Sequence, residues 1–501
     1  MGFLSDIITG PYAGIIAIAI GMLIAIFAGF SISRKANIST AAIMALSFIA
    51  GIYFYIKNYL AEGAVSEVLV SMGSPETILS VVILFAGLNI LLFKSLEEIS
   101  QKGFVRKLML LAFSIICLLL LIISNNIIMF TVSIIVTALS IFNLLASSVK
   151  GSTPAREYAG KLGMRLAVPA ALILFGFSLL AGTGRLGDIS SYAGTKDTGD
   201  SLFIISVLVF GAAAYFYFFL YPFQGTLLKL SRRADNGSAV ILWFLYIPSG
   251  IVLLMKLDAF FSNYYGRESI YGFLALAVLA FLNLFGAGLG SIRAVNLKRI
   301  LTMFIIFQLG TILLVRAAGF TGRVSAYPSG IFDLSEIIII LMVFLPLSVY
   351  SVIMEKNGSG GNIAEARGLL RIYPFAGICF LIISLWWFAA NIYLFFFKGP
   401  LPGALLFQQG IEAAILYIGF TAALILIAVN IARISIILFG KPIGGKLVKT
   451  AGIPIVLYIY ISIFALIAVA LTVLTIIGKT GTHQGSIELW DNTFYIFGNG
   501  N

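Results

Sequence analysis

The chain has 501 residues, of which 60% are hydrophobic and 10% are charged, and its formal net charge is +12. A soluble domain of this length needs far more polar surface, so the composition excludes a soluble protein and indicates a polytopic membrane protein. Both cysteines, Cys117 and Cys379, lie in apolar runs, which indicates packing residues rather than a disulfide or a redox pair. The one histidine, His483, lies in the C-terminal tail, so we expect no haem, no metal site and no other cofactor.

Apolar windows of about 20 residues, the length with which a helix crosses a bilayer, recur along the whole chain. The runs are too long and too uniformly apolar for barrel strands, and a lipid-facing chain must satisfy its own backbone groups. We therefore predict an all-α polytopic membrane protein with about 14 transmembrane helices. Their predicted bounds are 11–32, 39–57, 76–93, 107–124, 126–148, 164–182, 201–228, 238–257, 271–291, 299–317, 334–354, 373–397, 411–439 and 453–477.

The basic residues are distributed unevenly between the two sides of these spans. Most of the 32 Lys and Arg residues fall in the odd-numbered loops. By the positive-inside rule, the odd-numbered loops are predicted to be cytoplasmic and both termini to lie on the outer side. The basic charge then reflects topology, and we expect no nucleic-acid partner. The polar stretches are loop-sized, and the run 357–362 is predicted to be a flexible hinge or linker.

The stretch 286–315 joins a Gly-rich helix end, a short polar turn and a second apolar segment that carries one polar residue, Gln308. An ordinary basic loop between two spans has the same local pattern. The run Asn296-Leu-Lys-Arg-Ile-Leu301, followed by Phe307-Gln-Leu-Gly310, resembles the signature of the antiporter-like membrane subunits of respiratory complex I and its relatives. In those subunits a "KRLLAYSS" run leads to a His or Gln before a Gly. Within that Mrp-antiporter-related family, the chain is most similar to the subunit N group.

Weaker resemblances follow in the family's order over roughly residues 105–440. Their common order makes the resemblance specific, although each one alone is weak. They are Ser124-Asn-Asn126 for "SGNLL", Leu186-Gly-Asp-Ile189 for "GSLDL", Tyr221-Pro-Phe-Gln224 for "VPFH", and Glu365-Ala-Arg-Gly-Leu-Leu-Arg371 before Pro374 for "DLAGLGRRRP".

The resemblance implies a fold with two inverted five-helix repeats, spans 4–8 and 9–13, each containing a helix broken at mid-membrane. The corresponding domains are 1–105 for helices 1–3, 106–260 and 261–440 for the two repeats, and 441–501 for helix 14 and an outer tail. It also implies a place in the plasma membrane of a prokaryote, in the membrane arm of a redox-driven proton or sodium pump. The expected partners are sister antiporter-like subunits, other membrane-arm subunits, a peripheral electron-transfer arm and membrane lipids.

The family's proton relay uses a Glu in the fifth span and lysines in the seventh, eighth and twelfth spans. The matching positions in this chain hold Ile135, Tyr217 and either Tyr246 or Ile247. None of these side chains exchanges a proton at neutral pH as the family residue does. The resemblance therefore implies that most of the relay has been lost.

The twelfth span keeps one basic residue, Lys398, within about a residue of the family lysine. The family's "GIPP" break before it is replaced by Trp387-Phe-Ala-Ala390, so we expect the helix to continue and Lys398 to reach the outer interface. The ring-rich stretches around Tyr217 and Trp387 are expected to form a hydrophobic plug. Gln308 is a candidate either for bonding a water chain or for bonding across helices.

Three further charged residues, Glu336, Glu412 and Arg433, are placed towards helix ends by the predicted spans. We expect Glu336 to be an interfacial anchor rather than a relay carboxylate.

Three functions are consistent with the sequence. The first is a membrane-arm subunit of a complex-I-like assembly that is structural or inactive in proton transfer, with no catalytic residue and no chemistry of its own. The second keeps conduction by a modified route through Lys398, Gln308 and Tyr217, with Lys256 or Glu412 as further members. The third is a stand-alone secondary transporter or flippase.

Overall fold

The fold is seen in a computed structural model, and it is almost wholly helical over the part of the chain that the structure describes. That part comprises residues 12–29, 34–62, 65–66, 71–72, 74–99, 103–148, 153–182, 201–218, 220–233, 236–261, 270–319, 329–356, 361–395, 411–441 and 461–466. These residues fall into two compact units, and the boundary between the units along the chain lies near Asn263.

The first unit contains ten α-helices, one π-helical turn and one pair of two-residue strands among its described residues. The helices are α1 Ala13–Ala28, α2 Arg34–Glu62, α3 Ser74–Glu98, α4 Phe104–Ile123, α5 Ile127–Ser148, α6 Thr153–Gly182, α7 Ser201–Tyr217, α8 Gly225–Arg233, α9 Asn236–Ile241 and α10 Ile247–Phe261, with the π-turn Leu242–Tyr246 between the last two. The strands β1 Val65–Ser66 and β2 Ser71–Met72 pair antiparallel, with Val65 opposite Met72.

The second unit contains seven labelled α-helices and a second π-helical turn among its described residues. The helices are α11 Ile270–Arg293, α12 Leu297–Gly319, α13 Ser329–Ile339, α14 Leu345–Lys356, α15 Leu369–Ile372, α16 Pro374–Tyr393 and α17 Ile411–Phe439, with the π-turn Ile340–Phe344 between α13 and α14. Residues 461–466 are also helical.

Length and composition identify a multi-pass membrane protein. Eleven helical segments among the described residues are long and apolar enough to cross a bilayer, and α1 and Leu208–Phe218 are shorter apolar helices. Large apolar side chains such as Phe27, Leu46 and Ile418 stand exposed on their helices, as lipid-facing side chains do. Most of the predicted fourteenth span lies outside the described residues. The count of 14 spans, the repeats and the sides of the loops therefore stay predictions.

The seventh predicted span is not one helix. Within the predicted span 201–228, α7 ends at Tyr217 and α8 begins at Gly225. The resemblance implies one broken helix in each repeat, and this break lies within the predicted first repeat. The twelfth span behaves differently, since α16 runs without interruption from Pro374 to Tyr393. This helix includes Trp387–Ala390, the residues that replace the family's "GIPP" break. Its continuity agrees with the prediction made from that replacement.

The polar turn at 294–296 ends one helix and begins the next. The backbone N–H of Arg299 donates to Asn296 Oδ1 at 3.3 Å, so Asn296 caps the N-terminus of α12. The N–H of Leu297 donates to the oxygen of Gly361 at 3.0 Å, and the N–H of Ile363 donates to Val295 at 2.9 Å. The sequence predicted that Gly361 and Asn362 belong to a flexible linker, but they pair with this turn. The rest of that predicted linker, residues 357–360, lies outside the described residues.

Arg433, on α17, closes the other end of the same turn. Its guanidinium donates to the backbone oxygens of Ile292, Ser291 and Ala294, the last at 2.7 Å. These carbonyls end α11 and have no further turn of helix to bond. Arg433 therefore lies near a helix end, as expected. Its hydrogen bonds connect α17 to the C-terminus of α11.

We expect Arg433→Met to lower the thermal stability of the chain more than Arg371→Met does. The first change leaves three carbonyls without their charged donor, a loss of about 1.5–3 kcal/mol for a bond of this kind. Among the described residues, the side chain of Arg371 bonds one carbonyl, Phe439 O, and it is exposed, so its removal should cost less. Thermal unfolding of the two variants in detergent compares them, and equal losses would contradict the capping role.

Candidate functional site

Tyr217, predicted to match the seventh-span lysine, meets Tyr246, one of the two residues predicted to match the eighth-span lysine, in the first unit. Tyr217 ends α7 and Tyr246 ends the first π-turn, and both side chains are fully buried. Their rings stack with centroids 5.1 Å apart and an interplanar angle of 11°. Gly250 leaves space for the neighbouring rings, because a Cβ there would lie 2.5 Å from the Phe218 ring and 2.9 Å from the Tyr217 ring. We call Tyr217, Tyr246 and Ser249 the tyrosine cluster.

The hydroxyl hydrogens of the tyrosine cluster form a closed set. Ser249 Oγ donates to the backbone oxygen of Tyr246 at 2.7 Å, so the 2.7 Å contact between Tyr217 and Ser249 uses the hydrogen of Tyr217. The hydroxyl of Tyr246 donates to the backbone oxygen of Tyr217. Each hydroxyl hydrogen is committed, and two of the three end on backbone carbonyls. The cluster offers no group that ionises at neutral pH.

Among the described residues, the other positions predicted from the sequence add no proton-carrying side chain to this cluster. Ile135 is half-buried on α5, and Ile247 is buried next to Tyr246 in the chain. Lys256, on α10, forms an ion pair with Glu76 of α3, with Nζ 3.5 Å from Oε1. Lys398 and the side chain of Glu412 lie outside the described part of the structure.

A buried carboxyl group lies in the second unit, where α13 packs on α12. Glu336 is 1% exposed and Gln308 is 0% exposed. Gln308 Nε2 lies 2.6 Å from Glu336 Oε2, and Thr311 Oγ1 lies 2.9 Å from Glu336 Oε1. Thr311 Oγ1 also lies 2.6 Å from the backbone oxygen of Gln308. We call Glu336, Gln308 and Thr311 the Glu336 cluster.

The burial of Glu336 corrects the position that was expected for this residue from the sequence. The expectation that Glu336 is an interfacial anchor is wrong, because its side chain is buried and bonded to a neighbouring helix. Helix α13 begins at Ser329, five residues before the predicted start of the eleventh span, so Glu336 lies about two turns inside the helix. Of the two roles considered for Gln308, the structure shows bonding across helices.

A buried ion pair follows the Glu336 cluster on the same two helices. Arg316 donates from Nη1 to Asp333 Oδ1 at 3.0 Å and from Nη2 to Oδ2 at 2.6 Å. The two side chains are 4% and 1% exposed. This two-bond geometry compensates both charges within the protein, which a buried pair requires. Asp333 and Glu336 are three residues apart and so lie on one face of α13.

Aromatic rings pack around Trp387 in the same unit. The Trp387 centroid lies 4.8 Å from that of Phe304, 5.5 Å from Phe344 and 6.4 Å from Phe307. Trp387 is buried, and Phe344 is the last residue of the second π-turn. These four residues are the aromatic cluster. Its packing agrees with the prediction of apolar rings where the family keeps a polar helix break.

The sequence also gave no indication of a buried lysine in the first unit. Lys94 lies on α3 and is 2% exposed, against the first turn of α9. A Cβ at Gly237 would lie 2.7 Å from Lys94 Cε, so the missing side chain of that glycine makes the space. The buried polar residues that sequence reasoning missed are thus Ser249, Thr311 and Lys94, with Glu336 misplaced. For the Glu336 cluster, the three-residue spacings of Gln308 with Thr311 and of Asp333 with Glu336 were the available signal.

Comparison with known proteins supports the resemblance seen in the motifs. The chain is 24% identical over 368 residues to NADH-quinone oxidoreductase subunit N of Francisella tularensis subsp. holarctica, covering 71% of this chain and 73% of that protein. No family model matches the chain.

Solved structures share the fold at low sequence identity. A chain of respiratory complex I from Thermus thermophilus superposes with a TM-score of 0.66 at 16% identity, covering 92% of this chain and 97% of that one. A chain of the Mrp complex from Dietzia sp. DQ12-45-1b gives 0.67 at 15%, covering 89% and 85%. A chain of the membrane-bound sulfane sulfur reductase, an archaeal respiratory membrane complex, gives 0.69 at 16%, covering 91% and 74%.

The matches agree with the order of motifs along the chain and with its membrane helices. In sequence the chain is similar to subunit N, and it has the fold found in antiporter-like membrane subunits of complex I and of Mrp-type complexes.

Proposed function

We propose that this chain is a membrane-arm subunit of a complex-I-like, redox-driven ion pump and acts there mainly as a structural spacer. It links neighbouring pump subunits or positions the peripheral arm, and its own central proton relay is interrupted. Its place is the plasma membrane of a prokaryote, with the odd-numbered loops on the cytoplasmic side. The observation that carries the proposal is the tyrosine cluster, in which Tyr217 and Tyr246 are bonded together. The family resemblance matches Tyr217 to the seventh-span lysine, and either Tyr246 or Ile247 to the eighth-span lysine.

The bonding of the tyrosine cluster supports an interrupted relay. A proton relay needs groups that accept and release protons at working pH, spaced closely enough for short hops. Tyr217, Tyr246 and Ser249 ionise far above neutral pH or not at all, and their hydrogens are already committed. The two rings are stacked and buried, and apolar ring faces offer water no hydrogen-bond partner.

The aromatic cluster supports the same proposal in the second unit. An uninterrupted helix satisfies its own backbone, so α16 presents no broken turn to bind water or an ion near Trp387. The rings of Phe304, Phe344 and Trp387 pack at van der Waals contact and carry no group that moves a proton.

A second candidate is retained conduction by a modified route, and the Glu336 cluster favours it. Ionisable residues within membrane helices mark ion or proton pathways in many proteins. Two buried polar atoms in this unit, Gln308 Oε1 and Trp387 Nε1, have no hydrogen-bond partner among the described residues. Such atoms are where a water chain would bind. Under this candidate, Glu336 joins Gln308 and Lys398 in a route that the family does not use.

A water-resolving cryo-EM map of the native membrane assembly distinguishes the two candidates. A spacer should be dry around the tyrosine cluster and the aromatic cluster. Ordered waters that run from Gln308 past Trp387 towards Lys398 would overturn the spacer proposal and support conduction. Purification as a functional chain without redox subunits would instead support a stand-alone transporter, whereas stable co-purification with them would exclude it.

We expect Tyr217→Phe and Tyr246→Phe to leave the number of ions pumped per electron unchanged in the assembled complex. Each change removes a hydroxyl whose hydrogen bond contributes about 1 kcal/mol to stability, and the spacer proposal gives that hydroxyl no part in transport. Charge movement per electron in vesicles and the yield of complex on native gels are the measurements. Ser249→Ala is the matched control, since it disturbs the same cluster without altering a ring. A fall in pumping with assembly intact would contradict the proposal.

The variants Glu336→Gln and Lys398→Ala test the second candidate. Glutamine fits the space of glutamate, so Glu336→Gln removes a transferable proton with little change in packing. We expect both variants to pump as the unchanged chain does. Glu355→Gln, which alters the ion pair with Lys298 at 2.7 Å, controls for the loss of a carboxylate elsewhere on this helix segment. A lower pumping ratio in the first two variants alone would favour conduction.

A further inference from the structure

We propose that Glu336 is a proton-binding site whose carboxyl group is held in the neutral, protonated form by Gln308 and Thr311. The ligand is a single proton. The inference goes beyond the spacer function and does not depend on it, because it concerns the protonation of the resting protein rather than transport.

The hydrogens of the Glu336 cluster can be counted. Thr311 has one hydroxyl hydrogen but lies within bonding distance of two oxygens, Gln308 O at 2.6 Å and Glu336 Oε1 at 2.9 Å. If Glu336 is ionised, the one hydrogen of Thr311 can lie in only one of these two contacts. The other contact then brings two oxygens together with no hydrogen between them. With a protonated Glu336, the acid donates from Oε1 to Thr311, Thr311 donates to Gln308 O, and Gln308 Nε2 donates to Oε2 at 2.6 Å. Every contact then has its hydrogen.

The charges around Glu336 also favour its protonated form. The described charged group that faces it on its own helix is Asp333, an anion one turn away. On α12, Arg316 gives both terminal nitrogens to Asp333. Lys298 of α12 is paired with Glu355 of α14 at 2.7 Å, so its charge is already matched. An ionised Glu336 would therefore be a buried charge without a dedicated cation, which is costly, whereas a neutral acid needs none.

A sodium ion fits the cluster less well than a proton does. A hard cation needs oxygens turned towards it, but the amide of Gln308 presents Nε2 to the carboxyl group and leaves Oε1 buried, with no partner in the described part of the chain. The amide orientation that suits sodium is the reverse of the one seen, and it would break the 2.6 Å contact. The experiment that follows therefore includes sodium binding as one of its outcomes.

Infrared spectroscopy of the resting, full-length chain in lipid nanodiscs tests the inference. At neutral pH, the unchanged chain should show a protonated-carboxyl C=O band that Glu336→Gln removes and Glu355→Gln leaves in place. Glu355 is part-exposed and paired with Lys298, so its removal should reduce the carboxylate bands instead. If Glu336→Gln reduces only carboxylate bands, or if exchanging potassium for sodium shifts the Glu336 band, the proposal is wrong.

A second variant keeps the test decisive if Glu336→Gln fails to fold. Thr311→Val retains the acid and removes the oxygen that accepts its hydrogen. The C=O band should therefore remain but move in frequency, because the acid loses a hydrogen bond. An unchanged band would mean that the proton is not held by Thr311 and would overturn the proposal. Since no electron donor is present, the result is independent of whether the assembly pumps through this chain.

Discussion

The burial of helix α12 is the constraint on which the second unit depends. Every residue in its best membrane-crossing window is buried, so each polar group that it carries must find a partner inside the protein. Its N-terminus bonds to Asn296 and Gly361. Its polar side chains bond to α13 through the Glu336 cluster and the Arg316–Asp333 pair. These bonds fix the register of two apolar helices that could otherwise slide past each other.

The tyrosine cluster and the Glu336 cluster deal with buried polarity in opposite ways. In the first unit, neutral hydroxyl groups satisfy one another and two backbone carbonyls, so the tyrosine cluster needs no charge and no proton from outside. In the second unit, Glu336 and Asp333 lie on one face of α13, and Asp333 forms an ion pair with Arg316 of α12. Each unit carries a π-turn beside its cluster, ending at Tyr246 and at Phe344. Such turns add a residue to the helix and reorient the side chains that follow, which is why they occur at functional positions.

How much the sequence could predict depends on the range of the interaction. Helix positions follow from apolar run length, and the start of α12 follows from the local chemistry of Asn296 as an N-cap. The place of Glu336 could not be read in the same way, because Asp333 lowers the local hydropathy and moves the predicted start of the span to residue 334, so that Glu336 falls near the predicted helix end. Their burial is made possible by Arg316, Gln308 and Thr311 on another helix, and sequence gives no direct sign of that pairing.

A single buried acid is not a pathway. Proton transfer through a membrane needs a second site within reach, empty when the first is filled. The adjacent acid, Asp333, is matched with Arg316 through two bonds, so giving it a proton would break a compensated buried pair. A proton on Glu336 therefore has a well-formed site but no adjacent acceptor among the described residues. Such a proton stabilises the contact between α12 and α13 without moving, which is the behaviour expected of a subunit that spaces its neighbours.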